Sequence, residues 1–190
     1  MRPTFRLLAG ITLLVGCGDP TTVTENATRP QAVAASQAGL GASVDRDLAT
    51  LRRATAAFHQ FATAADAGWS AQITPCMSDP TAGGMGFHYG NTSLIDGAVQ
   101  VDQPELLLYE PEKNGRLRLV AVEYIIPYTF HARGAEPPVL FGRPFQQNDT
   151  FQLWGLHAWV WEDNPSGIFA NWNPRVTCEH TTNVSRMAHH

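Results

Sequence analysis

Two histidines and one glutamate stand out because each interrupts an apolar or glycine-rich run: His88 in Gly84-Met85-Gly86-Phe87-His88-Tyr89, Glu123 in Leu119-Val120-Ala121-Val122-Glu123-Tyr124, and His157 in Leu156-His157-Ala158-Trp159. Strand alternation places Leu117, Leu119, Ala121, Glu123 and Ile125 on one face of the run 116–126. The same rule groups Phe151, Leu153, Gly155, His157, Trp159 and Trp161 on one face of the run 151–161. A buried ionised glutamate is costly unless it is paired or metal-bound, and imidazole with carboxylate suits zinc, iron, copper or manganese. Burying the three groups apart would leave three desolvated polar groups to satisfy, whereas burying them together lets them satisfy one another. His88, Glu123 and His157 are therefore expected to converge. The set could ligate a divalent transition metal, with Tyr89 in the outer shell, or it could be a structural network in which Glu123 accepts hydrogen bonds from His157 or Tyr89. The chain has no HExxH, HxH, GxSxG or GxxxxGK[ST] motif that would name a reaction.

The elements that must position these residues change period along the chain. Val44, Leu48, Leu51, Phe58, Phe61 or Ala62, and Ala65 recur at helical spacing, with Ser43 as N-cap, Asp45 and Asp47 in the first turn and Gly68 as stop. Beyond it, Glu105–Glu110 and Arg116–Ile126 flank Pro111-Glu112-Lys113-Asn114-Gly115, which reads as a hairpin. Phe151–Trp161 is a third extended run, Met85–Tyr89 a shorter one, and the proline-bearing stretch 128–150 an irregular connection. One helix followed by strands, with no strand–helix alternation, predicts an α+β fold: an N-terminal amphipathic helix packed on a mainly antiparallel β-sheet, in a single domain over 43–180 with a tail at 181–190.

Ahead of that domain, Arg2 and Arg6 precede a short apolar run that ends in Leu14-Val15-Gly16-Cys17. The run is too short to span a membrane and suits a signal peptide, and the tetrapeptide reads as a lipobox. The expectation is a 1–17 leader cleaved before Cys17, lipid on Cys17 and a flexible tether over 18–42. That places the domain in the cell envelope, lipid-anchored to a membrane and facing the periplasm or exterior. Outside the cytoplasm disulfides persist, and the remaining cysteines, Cys76 and Cys178, are expected to pair. Losing Arg2 and Arg6 and no acid takes the net charge from −4 to −6. With few, scattered basic residues, nucleic acid is excluded as a partner.

The segments Gly84–Tyr89, Pro104–Pro111, Leu119–Tyr124 and Leu156–Trp161, with Asn164-Pro165-Ser166-Gly167-Ile168-Phe169 and Trp172-Asn173-Pro174, resemble those of a group of uncharacterised bacterial secreted proteins and lipoproteins. The resemblance covers roughly residues 65–178 and implies one exported domain, with no reaction and no catalytic residue attached. Two functions stay open. One is an envelope lipoprotein that binds a small ligand or another envelope protein, which the sequence alone favours because nothing local demands catalysis. The other is a metal-binding protein or metal-dependent enzyme using His88, Glu123 and His157.

Overall fold

The computed structural model describes residues 28–182, with side chains from residue 39 onward. The leader, Cys17, the tether up to residue 27 and the tail from residue 183 lie outside the described residues. From Gly39 onward the described chain forms one compact unit.

The fold is α+β, as composition and period predict. Helix α1 (Thr28–Thr55) buries Leu48 and Leu51 in the main core, with Val44 packed beside them. Its start differs from the expected one: Ser43 lies inside the helix, its hydroxyl donating to the Leu40 carbonyl at 2.8 Å, and the helix runs back over residues 28–42, where a flexible tether is expected. Its end differs too. A 3₁₀ turn (Ala56–His59) and an extended Gln60 separate α1 from α2 (Phe61–Asp66). This break lets Phe58 and Phe61 both reach the core, against Trp69 (ring centroids 4.8 Å) and Tyr89 (4.4 Å) respectively. Gly68, with φ of 115°, ends the helical segment.

Six strands form an antiparallel sheet in the order β1-β2-β3-β4-β8-β7. They are β1 (Ala71–Asp79), β2 (Gly83–Gly90), β3 (Leu106–Pro111), β4 (Leu117–Pro127), β7 (Gln146–Asn148) and β8 (Leu153–Ala158), while β5 (Val139–Leu140) and β6 (Arg143–Pro144) make a separate small hairpin. The β3–β4 hairpin is the one expected between 105 and 126. The third run is shorter than expected. Gln152, at φ 56°, turns the chain before β8, and after Ala158 the Trp159 amide donates to the Ile168 carbonyl instead of a neighbouring strand. Cys76 on β1 is disulfide-bonded to Cys178, with Cα atoms 5.7 Å apart.

The sheet has two differently used faces. One packs on the helices through Phe87, Tyr89, Tyr109, Val122, Tyr124, Trp154 and Leu156. The other holds a smaller cluster of Leu106, Leu108, Val120, Ala121, Ile125, Trp159 and Val176. Simple alternation fails on β4, and the reason is a β-bulge. Leu108 pairs with Ala121 but Tyr109 pairs with Leu119, leaving Val120 as an extra residue. Leu117 and Leu119 therefore join the helix-side core, whereas Ala121 and Ile125 share the other face with Glu123. The Val120 carbonyl, freed from the ladder, accepts from the Trp161 and Glu162 amides at 3.2 and 3.0 Å. Trp161 has by then left the strand and packs on the helix side, its indole N–H donating to Thr55, so it does not share the His157 face.

Candidate metal centre

Glu123 and His157 are directly opposed on β4 and β8, and His88 lies on β2, with β3 between. Two strand spacings are about 9–10 Å. The gap closes because all three side chains rise from the same face of a curled sheet, bringing His88 Nε2 to 3.5 Å and His157 Nε2 to 3.9 Å from Glu123 Oε2. One ligating atom from each residue lies within 4.8 Å of the others, so the group could hold a metal ion. All three residues are buried, at 4%, 8% and 5% exposure for His88, Glu123 and His157.

Local backbone chemistry sets this up. Gly86, at φ 88°, brings β2 so near β3 that a Cβ there would stand 2.4 Å from the Tyr109 carbonyl oxygen. No other residue fits such an approach, and His88 follows two positions later. On β8, Gly155 leaves the space beside Glu123 into which its carboxylate leans.

Burial dominates the electrostatics. It pushes His157 down to about 3, with the neighbouring His88 charge adding to it and a hydrogen bond to the Asn171 side chain opposing it. It pushes His88 down to about 4, against a hydrogen bond to the Gly86 backbone. It pushes Glu123 up to about 8, helped by Glu105. Burial thus disfavours the charged form of all three groups, although each histidine–glutamate pair lies within ion-pair distance. The separations are also too long for strong hydrogen bonds.

The chain matches no family model, no curated protein and no solved structure. The chemistry of the site must come from its own geometry. Metal–ligand bonds of 2.0–2.2 Å hold neighbouring ligand atoms roughly 3–4 Å apart, which is where the two imidazole–carboxylate separations fall. Neutral imidazole is the ligating form. His157 Nε2 is fully buried and has no hydrogen-bond partner in the protein.

Tyr89 is not part of the set. Alternation on β2 puts it on the helix side, its ring against Phe61 and Tyr109 and its hydroxyl at 3.4 Å from Gln72 Oε1. The outer partners are residues that sequence reasoning missed. Thr74 Oγ1 lies 2.8 Å from His88 Nδ1, and the Asn171 side chain is near enough to His157 to favour its protonated form. With its proton on Nδ1, His88 donates to Thr74 and keeps the Nε2 lone pair aimed at Glu123. Neither partner carries a signal in the sequence. Glu105 does: it is an acid opening an apolar run, 1% exposed, its carboxylate accepting from the Ile125 amide at 3.1 Å. Burial pushes Glu105 up to about 8.

Proposed function

We propose that this domain binds one divalent transition metal through His88 Nε2, His157 Nε2 and the Glu123 carboxylate, and that the metal works on a bound small molecule. The observation that carries the reading is the unpartnered Nε2 of His157, buried and 3.9 Å from Glu123. A satisfied structural network would close such groups to hydrogen-bond length, about 2.7–3.2 Å, because an unpaired buried polar atom costs on the order of 1–3 kcal/mol. Three groups held around a common point without bonding one another fit a shared ligand better than a network. Three protein ligands, rather than four, match metal sites that keep a position for water or substrate. Two imidazoles and one carboxylate suit iron(II), manganese or zinc.

The address of the domain belongs to the same proposal. The lipobox-like Leu14-Val15-Gly16-Cys17 supports export and attachment through lipid on Cys17, and the Cys76–Cys178 disulfide is compatible with an oxidising compartment. The deciding experiment is elemental analysis of protein purified without an affinity tag and with His189 and His190 replaced by alanine, so that the tail cannot scavenge metal. About one equivalent of a single transition metal is expected. Protein that comes out metal-free and takes up none on titration would overturn the reading.

A further inference from the structure

The proposed metal set opens into a cavity of about 300 Å³. His88, Glu123 and His157 line it together with Thr74, and its remaining wall is mostly hydrocarbon and thioether: Ile73, Met77, Met85, Ile125, Phe151 and Leu153. Among the described residues lining it there is no lysine or arginine, and Glu123 is the one ionisable carboxylate. Asn148, Thr150 and Trp172 also line it, so polar groups are not confined to the ligand end, but the lining is predominantly apolar and, apart from the His88, Glu123 and His157 set, it offers nothing to pair a charge. Two wall residues lie at the rim, Ile73 at 43% exposure and Phe151 at 47%. Both are apolar side chains partly in water where the cavity reaches the surface.

Resting on the metal reading, we infer that the cavity takes a small organic molecule with an uncharged hydrocarbon body and a single polar head. The head, an oxygen or nitrogen donor, meets the metal at the position the three protein ligands leave open. The body lies along Met77, Met85, Ile125 and Leu153 and is closed over by Ile73 and Phe151. A molecule polar all round would have to bury most of its donors and acceptors against this wall, with Asn148 and Thr150 as the few partners beyond the ligand set, and each group left unpaired would weaken binding. Sugars, nucleotides and amino-acid zwitterions are disfavoured on that ground, whereas alcohols, phenols and small ketones fit.

Fluorine NMR on the full chain carrying His189→Ala and His190→Ala, loaded with one equivalent of Co(II), tests this. 4-Fluorophenol has an apolar ring and one oxygen; 5-fluorouracil is of similar size but polar around its edge. Co(II) broadening is expected for 4-fluorophenol and not for 5-fluorouracil at equal concentration. Phe151→Glu, at the exposed rim, is expected to weaken 4-fluorophenol binding about tenfold by placing a charge on the apolar wall, with Co(II) stoichiometry unchanged. Co(II) uptake without broadening of 4-fluorophenol, equal broadening of both probes, or a Phe151→Glu variant that binds as well as the parent would each overturn the inference while leaving the metal reading intact. Failure to take up Co(II) at all would remove both.

Discussion

A Cβ added to Gly155 would stand 2.8 Å from Glu123 Oε1, closer than side-chain carbons approach a carboxylate oxygen. Gly155 has no left-handed φ, so alanine is permitted by the backbone there and excluded only by the carboxylate. Gly155→Ala is therefore expected to turn Glu123 away from His88 and His157 with the fold retained. Metal affinity should fall by about 10–100-fold, the range for a disturbed ligand orientation. Competition against a chelator of known affinity measures it, and an affinity equal to the parent would mean that the Glu123 carboxylate is not a ligand.

Glu123→Gln keeps the shape and an acceptor oxygen but removes the ionisable group. Metal content should drop to a small fraction of the parent's, while the circular dichroism of the metal-free protein stays unchanged. A variant that keeps its full metal stoichiometry would place the ion elsewhere.

The second buried acid gives a pH dependence with a definite sign. Burial raises Glu105 from 4.5 to about 8, so the folded state holds that proton more tightly than the unfolded chain does. Its contribution favours folding fully below pH 4.5 and is lost as pH rises through about 8, where the carboxylate must be ionised in a buried site. Glu105→Gln, whose amide oxygen can still accept from the Ile125 amide, should match the parent at pH 4.5 and exceed it at pH 9, by on the order of a few kcal/mol. Urea unfolding of metal-free protein at the two pH values decides it; an equal gap at both would rule out titration of Glu105 as the cause.

The Cys76–Cys178 bridge closes a sequence separation of 102 residues. In the chain-entropy model such a loop is worth up to about 4–5 kcal/mol. Replacing both cysteines by alanine should lower the melting temperature substantially without abolishing the fold, because the helix-side core is built mainly from other residues, with Cys76 only partly buried against it. Differential scanning calorimetry of the double variant measures the loss.

Cys17→Ser should move the protein from the membrane fraction to the soluble fraction and leave it without a lipid-dependent mass increment. A variant that still sediments with membranes would overturn attachment through Cys17.

Much of the fold was legible where the local pattern and tertiary packing agree. The 105–126 hairpin is two apolar runs around an Asn-Gly-containing connection, and the observed pairing follows that local pattern. Edge strand β1 was not legible. Pro75 and an irregular register with β2 remove the alternation that marks a strand. The face of Glu123 was read correctly relative to Ala121 and Ile125 and wrongly relative to Leu117 and Leu119, because the bulge at Val120 has no residue-type signature. His88, Glu123 and His157 could be singled out because an ionisable group in an apolar run is costly wherever it lies. Tyr89 was misassigned by neighbourhood in sequence, since adjacent strand residues point to opposite faces. Thr74 and Asn171 look ordinary and become partners only through strand pairing and chain return.

The path of the chain after Ala158 orders the completion of the domain. After Ala158 the chain passes through Val160 and Trp161 on the helix side and later returns to the site-bearing face, where Trp172 joins the cavity wall and Asn173 pairs with Gly84. That cover, and Cys178 beyond it, are the last described parts of the domain to be synthesised. A chain that has made His157 already possesses every ligand, yet its cavity is still roofless and its disulfide partner does not exist. Covering of the cavity by Trp172 and closure of the Cys76–Cys178 bridge thus belong to one late stage of biogenesis.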